Sequence, residues 1–501
     1  MIKKIVLLSI LLLFMACSWF KQETESTPTP LVEINGRTIN MDEFIRRAEY
    51  TIRPVYCREN YNIHKKIILN SLIAEKLMAL ELDGDSLVDE SNYLTNYLSG
   101  RKEQAMREVH YYKNAREKVD ISEKEINQVF QRAGRKYKVA FINFPSTEVA
   151  QEFMTMLKKE NISFLEGAAQ LTGKENAPIQ EIDYNTVENM AVHNILYKND
   201  VEKEKIYGPI KTDNGDVLIF KVITWTDYKV MSESQITTRY NDVKEKLTNL
   251  SAGQLYKGYV GKLMQGKQLD FDRDTFFRLA ALYSKLYNID HEKKRKLINR
   301  ETWGTDAPFE EIDSLQNQFE NLKDASLFKL DGEVWNVARF QKELDRHPLV
   351  FRKKNISSQD FPRQFRFAVA DLIRDKFITE DAYKKNYDQT EMVQNYTQMW
   401  QDNLIADYHR NKYLHERGFT EPFTEDNYIN AINTYLNPLI DSLQQKYDQQ
   451  VKIDTDQFNE IELTRIDLFA IQKNVPYPVV VPGFPLLTTD NKLDYGVKMN
   501  R

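Results

Sequence analysis

Two stretches of alternating apolar residues, far apart in the chain, each predict a hairpin followed by a helix. Residues Leu31–Phe44 and Leu327–Phe340 align at an offset of 296. Their centres, Asn35-Gly36 and Asp331-Gly332, are two-residue turns of the kind that joins paired strands. The pattern therefore predicts the same strand–turn–strand–helix unit twice.

The matches continue into the helices that follow. Apolar positions spaced by three and four residues form one helical stripe in each copy, at an offset of 300. The two stripes consist of Leu69, Leu72, Ile73 and Leu77, and of Val369, Leu372, Ile373 and Phe377. A third helix aligns Asn96-Tyr97 with Asn395-Tyr396 at an offset of 299. These matches predict a duplicated helical module.

A later match has a much smaller offset. Leu269–Asp272 resembles Ile453–Asp456 at an offset of 184, so about 115 extra residues lie inside the first copy. The extra segment has its own pattern: an alternating strand at 136–144, a helical stripe from Val149 to Leu157, a second short helix at Phe164, and a strand over 217–223. We expect a mainly α protein with an inserted α+β domain.

The predicted domains follow from these matches. They are a signal peptide at 1–16, a tether at 17–30, a first helical module at 31–119 plus 230–325, an α+β domain at 120–229, a second helical module at 326–470, and an extended proline-rich strap at 471–501. The prolines of residues 476–485 prevent helix formation. This strap either runs along the protein's own surface or docks on an envelope partner.

Composition excludes several classes of function. The chain has 501 residues, of which 42% are apolar and 29% charged, with a net charge of −5. Without a basic excess, nucleic acid is not an expected partner. Two cysteines and seven histidines without ligand spacing predict neither a disulfide framework, nor a metal site, nor a cofactor.

The first residues have the pattern of a secretion signal. Lys3 and Lys4 precede an apolar run of eleven residues, Ile5–Met15, interrupted only by Ser9, which is too short to cross a bilayer. The segment ending in Ala16-Cys17 resembles a bacterial lipobox, so we expect cleavage before Cys17 and lipidation of Cys17. A short buried helix with a chance cysteine is the alternative. The resemblance places the protein in the cell envelope as a periplasm-facing lipoprotein, in the outer membrane. Cys57 is then a lone thiol, expected to be buried.

The order of these elements resembles the SurA/PrsA group of envelope foldases. In that group a helical chaperone domain flanks a parvulin-type prolyl isomerase domain. The opening Val32–Phe44 and the segment Ile206–Val222 carry the resemblance. It implies a helical chaperone module in both copies, the first interrupted by a parvulin-like domain.

The α+β domain departs from the family pattern at its site. The family's first histidine would fall within Ala140–Asn143 and its last-strand histidine at about Val217, and neither segment contains one. Pro178–Asp183 lacks the family glycines, and Asn194 stands where an aromatic residue is expected. Met190 fits the family's pocket methionine. We therefore assign no catalytic residue.

The resemblance nevertheless implies peptide contacts in the α+β domain. We expect these at Phe141, Phe164 and Met190. The aromatic clusters at Tyr111-Tyr112 and Tyr396–Trp400 either contact clients or pack their helices together.

The expected function is that of a lipid-anchored envelope chaperone that binds unfolded or translocating outer-membrane or secreted proteins. Its partners are unfolded clients, the membrane through Cys17, and envelope assembly machinery. An active prolyl isomerase is one alternative, and a structural lipoprotein subunit of an envelope complex is another.

Overall fold

The computed structural model describes residues 30–82, 92–173, 178–187, 189–212, 215–288, 310–419, 421, 423, 427–465, 468 and 470–493. The signal peptide, Cys17 and nearly all of the tether lie outside these residues. The chain divides into two compact units. Within the described residues, the first comprises 30–109, 268–350 and 371–493, and the second comprises 110–267 and 351–370.

Helices dominate the described part of the chain. They are α1 (Met41–Glu49), α2 (Asn62–Glu81), α3 (Asn92–Asn114), α4 (Glu123–Phe130), α5 (Thr147–Glu160), α6 (Phe164–Thr172), α7 (Met190–His193), α8 (Glu233–Leu263), α9 (Arg273–Tyr287), α10 (Glu310–Glu320), α11 (Val337–Leu344), α12 (Phe361–Lys384), α13 (Glu391–Glu416), α14 (Tyr428–Ala431), α15 (Asn437–Lys446) and α16 (Thr455–Glu460). Two π-helical turns, Asn194–Lys198 and Ile432–Leu436, follow α7 and α14.

Within the described residues, ten strands form three antiparallel sheets. They are β1 (Pro30–Ile34), β2 (Arg37–Asn40), β3 (Arg135–Phe144), β4 (Ile179–Ile182), β5 (Ile206–Lys211), β6 (Val217–Asp227), β7 (Leu269–Phe271), β8 (Ser326–Leu330), β9 (Glu333–Asn336) and β10 (Val451–Ile453). The sheet orders are β10-β1-β2, β7-β8-β9 and β4-β3-β6-β5. Small sheets in a largely helical chain agree with the predicted mainly α fold with an α+β region.

The two three-stranded sheets of the first unit have equivalent registers. Asn35 and Gly36 in one turn, and Asp331 and Gly332 in the other, all have positive φ, as a two-residue hairpin turn requires. Each hairpin receives its third strand from far along the chain: β1 pairs with β10, and β8 pairs with β7. Both predicted hairpins are confirmed.

The registers correct the smallest predicted offset. Phe271 pairs with Phe328 as Ile453 pairs with Val32, so β7 and β10 are equivalent at an offset of 182, and the predicted 184 is wrong by two residues. Asp272 and Asp454, which follow these strands, each accept a backbone N–H bond at the start of the next helix. A slip of two residues preserves the alternation of the strand, so the sequence match could not detect it.

A buried ionic cluster crosses the core of the first unit. Arg47 donates two hydrogen bonds of 2.8 Å to Glu75, and neither side chain is exposed. Lys76 Nζ lies 2.9 Å from a carboxylate oxygen of Asp402 and 3.0 Å from one of Glu43. Burial opposes the charge on Lys76, but Asp402 and Glu43 raise its pKa above the usual value. The cluster therefore joins α1 and α2 to α13 through compensated charges.

The proline-rich segment is packed in the first unit. Tyr477, Val480, Val481, Leu487 and Leu493 are all buried. The Gly483 carbonyl accepts a hydrogen bond of 2.9 Å from Arg47 Nη2 of the ionic cluster. Residues 470–493 thus lie along this unit, in agreement with the prediction that the strap runs along the protein's own surface.

The second unit contains the predicted α+β elements. Its sheet separates two apolar layers: Phe153, Leu157 and Phe164 of α5 and α6 lie on one face, and the other is covered by a longer set. That set consists of Ile126, Val129, Tyr184, Val192, Leu196, Tyr197, Val243 and Leu247. Serines cap the helices, and Ser122 and Ser163 form capping boxes with Glu125 and Glu166.

The core of the second unit continues beyond the inserted segment of the sequence. Val243 and Leu247 of α8 are buried against the sheet layer. Residues 351–370 also belong here: Lys353 and Arg363 pair with Asp216 beside the β5–β6 turn, at 2.9 and 3.0 Å. A Cβ at Gly215 would contact the Phe367 ring at 2.7 Å, so this close approach requires glycine. The domain limits at 119 and 229 stay predictions.

Candidate functional site

Phe141 lies in the segment of the α+β unit where the sequence analysis looked for the first histidine. Strands β3 and β6 pair so that Phe141 lies opposite Phe220. The Phe220 ring stacks on Tyr207 with centroids 5.5 Å apart. Phe141 is half-buried against the same apolar cluster as Phe220. These three positions of the sheet therefore carry aromatic rings and no imidazole.

The second predicted position, at about Val217, lies on the other face of the sheet from Phe141. Val217 pairs with Phe144 and packs in the layer formed by α5 and α6. Residues alternate between faces along a strand. The β6 residues in the Phe141 cluster include Leu218, Phe220 and Val222, and none of them is a histidine.

The three predicted peptide contacts are not brought together. Phe164 is the first residue of α6, is only 2% exposed, and packs against Phe153 on the face opposite Phe141. Met190 is the first residue of α7 and is half-buried. Phe141 and α7 share one face of the sheet, since Val192 of α7 belongs to the Phe141 cluster. The peptide-binding role of these three residues stays a prediction.

A buried histidine lies on the Phe141 side of the sheet. His193 is unexposed, and its ring centroid lies 5.2 Å from that of Tyr184 and 5.5 Å from that of Tyr197. Among the described residues, neither ring nitrogen has a hydrogen-bond partner of normal geometry. Burial, reinforced by Lys246 and Lys198, lowers the pKa of His193 to about 4.

The aromatic surroundings of His193 could not be predicted from the sequence, because a lone histidine has no spacing to interpret. The π-helical turn that begins directly after His193 is a local irregularity often associated with function. His193 is neutral at physiological pH and enclosed by aromatic rings, so it does not supply a charged group to a substrate.

Other chemistry is limited in the part of the chain that the structure describes. No cluster of three or more His, Cys, Asp or Glu side chains there is arranged to hold a metal ion. None of the helices within the described ranges has the length and hydropathy needed to cross a bilayer. Cys57 is fully buried, as expected. Cys17 lies outside the described residues.

The first unit displays apolar side chains from the end of α1 to the first turn of α2. Ile52, Val55, Tyr61 and Ile63, here called the loop patch, are 68%, 65%, 58% and 56% exposed, and all lie within twelve consecutive residues. Exposed apolar side chains grouped in this way mark interaction surfaces more often than single ones do. The sequence analysis did not predict this loop patch, although Ile52 and Val55 fall outside any helical or strand period.

Polar groups lie beside the loop patch at Tyr61. A depression of about 470 Å³ begins at Asn60 and Asn62, on either side of Tyr61, and extends to Glu462. The Arg465 guanidinium lies 5.9 Å from the Tyr61 ring centroid. An apolar centre with a charged rim is the usual anatomy of a protein-binding surface.

The predicted aromatic clusters have different environments. Tyr396 and Trp400 are 7% and 6% exposed and pack with Met399 in one buried apolar cluster. Tyr111 and Tyr112 are half-buried, and the Tyr111 ring contacts Tyr256 with centroids 5.1 Å apart.

Comparison with known proteins finds little. No protein-family model and no curated protein sequence matches the chain. Among solved structures, the chain is similar to the crystal structure of foldase protein PrsA from Streptococcus pneumoniae str. Canada MDR_19A, with a TM-score of 0.21 and 14% sequence identity. The match covers 47% of this chain and 92% of that chain. A likeness at this TM-score carries no argument about function.

Proposed function

We propose that the protein is a lipid-anchored chaperone of the cell envelope that binds unfolded segments of other proteins. The observation that carries the proposal is the loop patch, four largely exposed apolar side chains between the end of α1 and the first turn of α2, beside a polar depression. The signal-like N-terminus ending in Ala16-Cys17 supports the envelope location and the anchor. The equivalent registers of the two small sheets support a duplicated helical chaperone module.

The size of the loop patch fits weak and unselective binding. Burial of one aliphatic side chain contributes about 1.5–3 kcal/mol. Four side chains that are already one-third buried offer roughly 4–8 kcal/mol before the entropy cost of association is subtracted. Association costs at least about 4 kcal/mol, so the net is at most about 4 kcal/mol, which corresponds to dissociation constants in the millimolar range or above. The loop patch alone therefore supports transient contacts, from which clients are readily released.

Aggregation of an unfolded test protein, followed by light scattering, tests the proposal. We expect the purified full-length chain to slow aggregation. The triple variant Ile52→Ser/Val55→Ser/Ile63→Ser should lose most of this effect. A matched control carries serine at three exposed apolar positions outside the loop. These are Phe277, Val334 and Ile429, which are 51%, 50% and 39% exposed.

Three results would contradict the proposal: no suppression by the wild-type protein, equal loss in both triple variants, or no loss in either. Recovery of one stoichiometric partner from envelope membranes, with no effect on aggregation, would instead favour a structural subunit of an envelope complex. The alternative of an active prolyl isomerase is tested separately with a proline-containing peptide. The paired positions Phe141 and Phe220 carry no histidine, which argues against this alternative.

A further inference from the structure

The proline-rich segment occupies a pocket that is built for an extended peptide. Tyr477 inserts beside α3, where its ring meets Tyr97 edge-on with centroids 5.2 Å apart. A Cβ at Gly100 would overlap the Tyr477 ring, so the absence of a side chain there makes room for the tyrosine. The Tyr477 hydroxyl donates a hydrogen bond of 2.9 Å to the carbonyl of Arg346.

The peptide backbone at Tyr477 is held by one side chain. The backbone N–H of Tyr477 donates to Gln104 Oε1 at 2.9 Å, and Gln104 Nε2 donates to the Tyr477 carbonyl at 2.9 Å. Gln104 is 2% exposed. Pro476 and Pro478 have no N–H group, so Tyr477 offers the one backbone donor of this tripeptide. Gln104 therefore satisfies both backbone groups of Tyr477, while the Pro478 carbonyl accepts a hydrogen bond of 2.8 Å from the backbone N–H of Gln472.

A buried arginine forms the floor beside the pocket. The Arg101 guanidinium lies 3.2 Å from the Trp400 ring centroid and 5.1 Å from that of Tyr477. Its Nη1 donates to the Val479 carbonyl at 2.9 Å. Arg101 is 4% exposed. Aromatic walls with donors directed at peptide carbonyls are the features by which proteins bind extended, proline-containing segments.

We propose that the groove formed by Tyr97, Gly100, Arg101, Gln104 and Trp400 is a binding site for extended peptides in which a tyrosine is flanked by prolines, and that residues 476–485 occupy it as an internal competitor. The source of such peptides, unfolded clients, rests on the proposed function. Backbone contacts through Gln104 and Arg101 do not depend on the identity of the residues that follow the tyrosine. A client segment of the same chemistry can therefore replace the resident segment.

The internal segment should reduce the affinity for any external peptide. When only a fraction of molecules has an open groove, the apparent dissociation constant rises by the inverse of that fraction. Loss of the tyrosine anchor opens the groove. A substitution that weakens the resident segment should therefore increase the affinity for an external peptide, whereas a substitution in the groove should decrease it. If residues 476–485 only held the fold together, the first substitution would not increase the affinity.

The experiment uses a fluorescent synthetic peptide with the sequence of residues 474–487, titrated into the purified full-length chain and followed by fluorescence anisotropy. We expect weak binding to the wild type. Tyr477→Ala should bind at least about tenfold more tightly, and Tyr477→Phe, which loses only the hydroxyl bond, about two- to fivefold more tightly. The double variant Tyr477→Ala/Gln104→Ala should lose the gain. Tyr228→Ala, at an exposed position of the second unit, is the matched control and should bind as the wild type does.

Further measurements complete the test. A peptide with alanine in place of its tyrosine should not bind. Circular dichroism checks that each variant is folded, and Tyr477→Phe retains the ring if Tyr477→Ala does not fold. Peptide binding that is unchanged by Tyr477→Phe and Tyr477→Ala, or that survives in the Gln104 double variant, would overturn the proposal. A dimer of Tyr477→Ala that does not bind the peptide would overturn it in favour of segment exchange between two copies.

Aggregation suppression by the same variants separates this inference from the proposed function. If the wild type suppresses aggregation and no variant binds the peptide, the groove proposal fails alone. If Tyr477→Ala binds the peptide and no variant suppresses aggregation, the chaperone proposal fails and the groove remains a peptide site.

Discussion

Replacing Arg47 with methionine would remove the cation from the centre of the first unit and leave its partner in place. Arg47 and Glu75 are fully buried and joined by two hydrogen bonds of 2.8 Å. Glu75 also accepts a hydrogen bond of 2.9 Å from Asn403, and Arg47 donates one of 2.9 Å to the Gly483 carbonyl. The substitution therefore leaves a buried carboxylate that has lost its countercharge.

The structure sets the magnitude of the effect. Breaking a buried ion pair from one side costs about 3–5 kcal/mol of unfolding free energy, because the remaining charge is uncompensated. The unpaired Gly483 carbonyl adds about 1 kcal/mol. In the double variant Arg47→Met/Glu75→Leu neither charge of this pair remains, and Asn403 and the Gly483 carbonyl lose partners, at about 1–3 kcal/mol together. We expect the double variant to be about 3 kcal/mol more stable than Arg47→Met alone.

Hydrogen exchange of the α2 amides, measured by mass spectrometry, reports the stability of the first unit separately from that of the second. The control is Lys323→Met, which removes an exposed pair with Glu320 of the same unit at 3.0 Å and should cost less than about 0.5 kcal/mol. If Arg47→Met changes exchange no more than this control, the buried charge is not costly. If the double variant is as unstable as the sum of the two single variants, the two residues are not coupled.

Three further predictions concern other parts of the chain. Because the pKa of His193 is about 4 in the folded protein and near 6.5 in an unfolded chain, the stability of the second unit should be complete above about pH 6.5 and fall by about 3 kcal/mol as pH decreases to 4. Equal pH profiles of urea unfolding for wild type and His193→Phe would contradict this. Cys17→Ser should move the protein out of the detergent phase in phase partition, and identical partition of the two proteins would exclude a lipid on Cys17. Ser122→Ala removes the capping box of α4 and should lower its stability by about 1 kcal/mol; unchanged amide exchange at residues 123–126 would refute it.

The hairpins could be predicted because their information is local. Asn35-Gly36 and Asp331-Gly332 adopt the positive φ angles that such dipeptides tolerate, so the turn chemistry determines the hairpin without help from the rest of the chain. The similarity between β7 and β10 could be detected in the sequence, but the strands with which they pair could not. Nothing in the residues of β10 shows that it pairs with β1 rather than with a nearer strand.

The candidate site was less predictable for a related reason. The sequence pattern identified Phe141 and Phe164 as apolar residues in the α+β region, but their opposite faces follow from the sheet and from helices packed on both of its sides. Similarly, Ile52 and Ile63 are exposed because no other part of the described chain covers the segment from the end of α1 to the first turn of α2. Burial of a loop is a property of the tertiary structure, whereas periodicity describes only helices and strands.

The topology also determines when the groove beside α3 is open. The first unit closes only with residues from the end of the sequence, since β1 pairs with β10 and Arg47 contacts Gly483. Closing contacts across more than 400 residues carries a large entropy cost and is slow. The groove itself is made by α3 and by Trp400 of α13, which precede residues 476–485 in the chain. The groove can therefore form before its internal ligand arrives, which is the state that a competing peptide requires.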